Sequence, residues 1–158
     1  MPEALTLPLD DPAPVLALWA ALDAAGVGGA RPDYPPHVTL VIAERVPDPA
    51  ALAGRLPVAL VFAAVALFTR PATVLFAAPV SSIELLALQD AAAALSMGLH
   101  DHARPGAWMP HATLATGVKD AAHALSVIDF VPFRATASRI ERVAFPPPRV
   151  LGSAPFSV

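Results

Sequence analysis

The chain contains no cysteine among its 158 residues. Disulfides are therefore excluded, and so is any metal site built on thiolates. Charge is scarce as well: charged residues make up 15%, and acids outnumber bases 13 to 10. A net charge of −3 and a pI near 5.9 argue against a protein that grips long nucleic acid by its backbone, which needs a basic face. A small or terminal phosphate stays within reach, because a few local donors suffice to bind one. Long apolar runs are missing despite a mean hydropathy of +0.59. The longest, residues 56–69 ("LPVALVFAAVALFT"), carries Pro57 near its start and is closed by Arg70. It falls short of the roughly 20 residues a membrane-spanning helix requires. The first twelve residues, "MPEALTLPLDDP", bear acids early and no basic run, which is unlike a secretory signal. We expect no membrane contact and a cytoplasmic location.

The 158 residues fit one domain, or two small lobes sharing a core. Leu5, Leu7 and Leu9 alternate as in a strand. Asp11-Pro12 then opens a helix carrying Val15, Leu18, Trp19 and Leu22, stopped by Gly26, Gly28 and Gly29. Residues 37–44 read as a strand, and 48–56 as a short helix capped by Asp48 with Pro49 at its first position. The runs 58–69 and 73–78 read as a hairpin. Ser81-x-x-Glu84 is a capping box that starts a helix running to about Ser96. After a polar, proline-bearing loop, residues 111–118 read as a strand. Asp120 caps a short helix, 133–145 alternates weakly as one strand, and 149–158 closes the chain as another. The order is an α+β pattern with no linker between independent domains and a hint of internal duplication.

The duplication is concrete at one point. Pro-His-x-Thr-Leu occurs twice, as Pro36-His37-Val38-Thr39-Leu40 and Pro110-His111-Ala112-Thr113-Leu114. From the chain's own composition roughly 0.03 His-x-Thr-Leu matches are expected. On a strand, His and Thr share one face while the residues between and after them share the other. The apolar pair can bury, and the polar pair then faces a cleft. Two such strands about a pseudo-two-fold axis would place two imidazoles and two hydroxyls around one cavity. Histidine titrates near neutrality, so one ring can accept a proton while the other donates one. Thr39 and Thr113 would donate hydrogen bonds to phosphate oxygens as negative charge develops. The bland alternative is two unrelated strand histidines, since a lone strand histidine is more often structural.

Other residues are candidates beside this set. Tyr34 and Trp108 lie just before the two motif histidines and are placed to stack on a base, or to pack at the rim. Arg104, like Arg31 and Arg70, lies in a loop from which it can reach phosphate. His100 and His102 flank Asp101 as a metal pair would, although solvated loop histidines are the commoner case. His123 belongs on a helix surface, and Phe76 in the core or the cleft wall. We expect neither a metal nor a cofactor. No Gly-rich phosphate loop, nucleophile elbow or carboxylate pair is visible.

The two motifs, and the "YPPHVTL" form of the first, resemble the signature of the two-histidine phosphoesterases, especially the bacterial 2′-5′ RNA ligase-like branch. The likeness spans nearly the whole chain. It implies a single bilobal α+β domain over 1–158, with antiparallel-rich sheets and flanking helices around a central cleft, each lobe carrying one His-x-Thr strand. It also implies phosphoesterase chemistry on 2′,3′-cyclic phosphates or 2′-5′ linkages, with His37 and His111 as acid and base and Thr39 and Thr113 on the phosphate. The partner would be a small nucleotide or an RNA terminus. One departure is that many such relatives carry a basic residue where this chain has Thr116, which points toward a small substrate. A non-catalytic nucleotide- or RNA-end-binding module of the same fold is the competing reading. Oligomeric state is open.

Overall fold

The computed structural model describes residues 1–156. Its strands are β1 (Glu3–Pro8), β2 (His37–Arg45), β3 (Val58–Phe68), β4 (Val74–Pro79), β5 (Met97–Leu99), β6 (Ala112–Thr116), β7 (Phe133–Ala137), β8 (Arg139–Ala144) and β9 (Arg149–Pro155). The helices are α1 (Ala13–Ala24), α2 (Ile83–Leu95) and α3 (Ala121–Val127), with short 3-10 segments at Pro49–Arg55 and Asp101–Ala103. Two antiparallel sheets result, ordered β5-β2-β1-β8-β9 and β6-β4-β3-β7. This is the expected bilobal α+β architecture, with one motif strand in each sheet.

The lobes are interleaved along the chain. The hairpin β3–β4 precedes the second motif yet joins its sheet, while β8 and β9, at the end, complete the sheet of the first motif. The helices cross over too. α1 leaves the first sheet and packs against β6 and α3, and α2 leaves the second and packs against β2. Each motif strand is thus backed by a helix that follows a strand of the other sheet. α1 buries Val15, Leu18 and Leu22 at helical spacing. α2 buries Leu85, Leu88, Ala92 and Ala93, together with Gln89. The amide of Gln89 donates to the Ala103 carbonyl at 2.7 Å, satisfying a polar group that burial would otherwise penalise. One continuous apolar cluster joins both sheets, from Leu5 and Leu40 to Leu60, Phe62 and Leu114.

Four expectations change. The span 133–145 is two strands in different sheets, β7 and β8. At the break, Asp10 accepts from the Ser138 amide at 2.9 Å and also from its hydroxyl. The weak alternation of that stretch follows from the chain changing sheets, so no single phase can hold. The α2 cap is Ser82, whose hydroxyl accepts from the Leu85 amide at 3.1 Å, one residue later than the capping box. Glu84 instead lies in the first turn, where its charge suits the helix dipole. Residues 97–99, outside any expected strand, pair with β2 as an edge strand. The N-cap of α1 is Pro12 rather than Asp11, which accepts from the Ala13 amide at 3.0 Å one residue before it. The other two caps hold, with Asp48 accepting from the Ala50 amide and Asp120 from that of His123, each at 2.9 Å. The closing strand ends at Pro155, and the last two residues of the expected 149–158 lie outside the described residues. Among the described residues, no helix is long and apolar enough to cross a membrane.

Candidate active site

Both motif strands carry a β-bulge at the same residue. Along β1, Leu5 pairs with Val41 and Thr6 with Thr39, which leaves Leu40 unopposed. Along β4, Leu75 pairs with Ala115 and Phe76 with Thr113, which leaves Leu114 unopposed. A bulge puts two consecutive residues on one side of the strand. Accordingly Leu40 and Val41 are both buried, as are Leu114 and Ala115. Upstream of the bulge the alternation is regular: Val38 and Ala112 are fully buried, while His37, Thr39, His111 and Thr113 are only partly buried on the other face. The motif leucine is therefore the residue that bends each strand, and the bend comes one position after the threonine.

The two imidazoles are held alike. His37 Nδ1 lies 2.8 Å from the Pro35 carbonyl, and His111 Nδ1 lies 2.9 Å from the Met109 carbonyl, in each case two residues upstream. A carbonyl oxygen only accepts, so Nδ1 carries the hydrogen in both rings. Each Nε2 is then left with a lone pair when the ring is neutral and a proton when it is charged. The threonine backbones are pinned in an equally matched way. Trp108 Nε1 donates to the Thr39 carbonyl at 3.0 Å, and Trp19 Nε1 donates to the Thr113 carbonyl at 3.1 Å. Trp108 lies two residues before the second motif and pins the first. Trp19, on the α1 that follows β1, pins the second.

What surrounds the rings is not matched. His37 meets the edge of Tyr34, with ring centroids 4.7 Å apart at 77°. The Tyr34 hydroxyl donates to Glu141 and lies 3.1 Å from the hydroxyl of Thr6. Glu141 also accepts from Arg139 at 3.0 Å. Burial, followed by the hydrogen bond to Glu141, raises the Tyr34 pKa far above that of a free phenol, so this hydroxyl stays protonated. His111 instead lies in an aromatic corner, its ring 5.1 Å from Phe68 and 5.4 Å from Phe76. Burial pushes the pKa of both histidines below the usual value. For His37 the Pro35 carbonyl opposes that shift, charge on His111 adds to it, and Glu141 opposes it more weakly. For His111 the Met109 carbonyl opposes it, and His102 adds to it.

Two cavities open on this ground and share Thr39 and Ile42. One, of about 370 Å³, is lined by Thr39, Phe68, Arg70, His102, Trp108 and His111 among mostly apolar neighbours. The other, of about 430 Å³, is lined by Arg31, Tyr34, His37, Thr39, Thr113 and Thr116. Each of the four motif side chains thus borders one or both of these adjoining cavities, His111 the first, His37 and Thr113 the second, and Thr39 both. Tyr34 and Trp108 line them as well, but each has its polar atom committed to the protein. Arg104 does not. Its guanidinium pairs with Asp101 at 2.9 Å, is largely exposed, and borders neither cavity. His100 stands edge-on to His102 at 5.7 Å. Among the described residues, no three His, Cys, Asp or Glu side chains are grouped as a metal ion would need. His123 faces outward on α3, with Nε2 3.3 Å from the Ala25 carbonyl. Phe76 is fully buried beneath His111. Sequence reasoning missed Trp19, Glu141, Thr6 and Phe68. Each reaches the site through tertiary contacts with no local signal.

A family model for the 2′-5′ RNA ligase superfamily matches residues 8–145. Among solved structures the chain is similar to a crystal structure of a phosphoesterase at 17% identity, with a TM-score of 0.64 over 100% of both chains. It is also similar to Escherichia coli LigT complexed with 3′-AMP, at 18% identity and a TM-score of 0.61 over 99% of each chain. At these identities the solved structures attest the fold. No curated protein matches the sequence.

Proposed function

Because the chain belongs to the 2′-5′ RNA ligase superfamily, we propose that it is a phosphoesterase acting on a 2′,3′-cyclic phosphate or a 2′-5′ phosphodiester at a nucleotide or RNA end. The observation that carries this reading is the matched commitment of both Nδ1 atoms to backbone carbonyls. It leaves two Nε2 atoms for a substrate that spans the adjoining cavities. In hydrolysis of a cyclic phosphate, the neutral ring takes the proton of an attacking water as its oxygen bonds to phosphorus. The charged ring gives its Nε2 proton to the ribose oxygen as the P–O bond breaks. The two rings end with exchanged protonation, and solvent resets them. Thr39 and Thr113 donate to the non-bridging oxygens, where charge accumulates. Each proton transfer contributes about 10²–10⁴-fold, and the scheme needs no metal because the two imidazoles supply both transfers.

The test is an assay of the purified, chelator-treated protein on 2′,3′-cyclic mononucleotides and a cyclic-ended RNA, with products separated as 2′- or 3′-phosphates. Turnover that falls by about 10²–10⁴-fold in His37→Ala and in His111→Ala is the expected result. Tight binding of a nucleotide without turnover would instead favour a binding module on the same fold.

A further inference from the structure

Arg31 is out of keeping with the rest of the cleft. Its side chain is only 14% exposed, and it borders the cavity that holds His37, Thr113 and Thr116. Nη2 donates to the Val27 carbonyl at 3.1 Å and pairs with Asp23 at 3.0 Å. Nε and Nη1 are buried and have no hydrogen-bond partner among the described residues. A guanidinium kept only to fasten its loop would use its fork. Sealing two of its nitrogens without acceptors is unfavourable and uncommon. Asp23 is a weak holder, since that carboxylate is 66% exposed and water screens its pull.

The backbone that carries Arg31 is placed with care. Ala30 and Thr116 exchange both backbone hydrogen bonds, at 2.8 and 2.9 Å, clipping the loop to the end of β6. Gly29 makes this approach possible. Its φ is +96°, and a Cβ there would lie 2.7 Å from the Thr116 carbonyl oxygen. The clip sets Ala30 opposite Thr116, three positions beyond Thr113 on the motif strand, so that Arg31, the next residue, and Thr116 border the same cavity. Asp33 also borders the cavity, so Arg31 is what makes this wall receptive to an anion.

We propose that Arg31 and Thr116 form a second anion subsite, which receives a further phosphate of a substrate whose reacting phosphate lies between His37 and His111. The inference rests on the phosphoesterase reading and narrows it to ligands with two phosphate groups. On binding, Nη2 leaves Asp23 and, together with one of the two unpartnered nitrogens, Nε or Nη1, donates to the phosphate, a bidentate geometry that a guanidinium suits.

Calorimetric titration of the full-length chain with adenosine 3′,5′-bisphosphate and with 3′-AMP tests it. The wild type binds the bisphosphate about tenfold more tightly, as expected for one added charge-assisted contact. Arg31→Gln brings the two affinities within about twofold, and Thr116→Val narrows the gap in the same direction. Equal affinities in the wild type, no measurable binding of the bisphosphate, or a preference untouched by Arg31→Gln would each overturn the inference; the first two need no variant to fold. Binding is read without turnover. A chain that hydrolyses no cyclic phosphate but keeps an Arg31-dependent preference would sink the activity and spare the subsite, and turnover without the preference would do the reverse.

Discussion

Replacing Trp108 by Phe separates two roles that the wild-type ring combines. Phenylalanine keeps an aromatic face toward the cavity and loses only the fused pyrrole with its N–H. That N–H donates at 3.0 Å to the carbonyl of Thr39, the residue shared by both cavities. The carbonyl is part-buried, so losing the donor leaves an acceptor unpaired at a cost of about 1–2 kcal/mol. For a chain of this size that lowers the melting temperature by roughly 2–8 °C. The larger effect is expected in turnover. Thr39 sits one residue before the bulge at Leu40, where the strand already bends, and releasing its carbonyl lets its hydroxyl drift. A misplacement near 1 Å costs on the order of 10²-fold in rate. Trp19→Phe makes the same cut at the Thr113 carbonyl, so its losses should be of similar size. Thermal melts and kcat/KM on a cyclic nucleotide give both readouts. If Trp108→Phe kept full turnover while Trp108→Ala lost it, base stacking would be the ring's role and the pinning argument would be wrong.

Three further outcomes follow from the geometry. Burial lowers the pKa of His37 and His111, so the singly protonated pair is most populated below the ordinary histidine value; kcat/KM should peak on the acid side of about pH 6.5, and an optimum above 7 would contradict it. The same shifts enter stability. The unfolded chain binds protons at both histidines before the folded one does, so urea midpoints should fall as pH drops from about 6.5 toward the lower folded values, and replacing both residues by Gln should flatten that slope. Leu114→Ala removes a fully buried side chain at the second bulge and should cost about 2–5 kcal/mol by denaturant unfolding, where a cost under about 1 kcal/mol would mean the site collapses freely.

The core of the site was legible because its signal is local. Strand alternation put His37 with Thr39 and His111 with Thr113 on one face, and burial in the folded chain follows that alternation up to the bulge. The bulge itself was hidden, because it exists only in relation to the partner strand: Leu40 is unopposed through what β1 pairs with, and its own neighbours do not announce it. The split of 133–145 was hidden for a similar reason. Asp10, 128 positions from Ser138, holds the break. Arg104 illustrates the opposite error. A loop arginine near the second motif reads as free to reach phosphate, yet Arg104 points to solvent and borders neither cavity. Tyr34 was placed correctly near His37 but for an incomplete reason, since Glu141, 107 positions on, fixes its hydroxyl.

Matched motifs raise a problem that their surroundings resolve. Two imidazoles with the same backbone contact and the same free nitrogen would, in identical settings, have equal proton affinity. A pair of that kind would hold its single proton on either ring half the time, and a substrate bound in one orientation would find the wrong ring charged in half of the molecules. Here a charge on His111 disfavours a second proton on His37, which favours the singly protonated pair over the doubly protonated one. The neighbours of the two rings differ as well: the Tyr34–Glu141 pair stands beside one ring, and Phe68, Phe76 and His102 beside the other. The Pro-His-x-Thr-Leu repeat therefore orients both rings alike, while residues outside it make their surroundings unequal. If the proposed proton transfers run in one direction, the unequal surroundings of the two rings favour that direction, and the matched motifs do not.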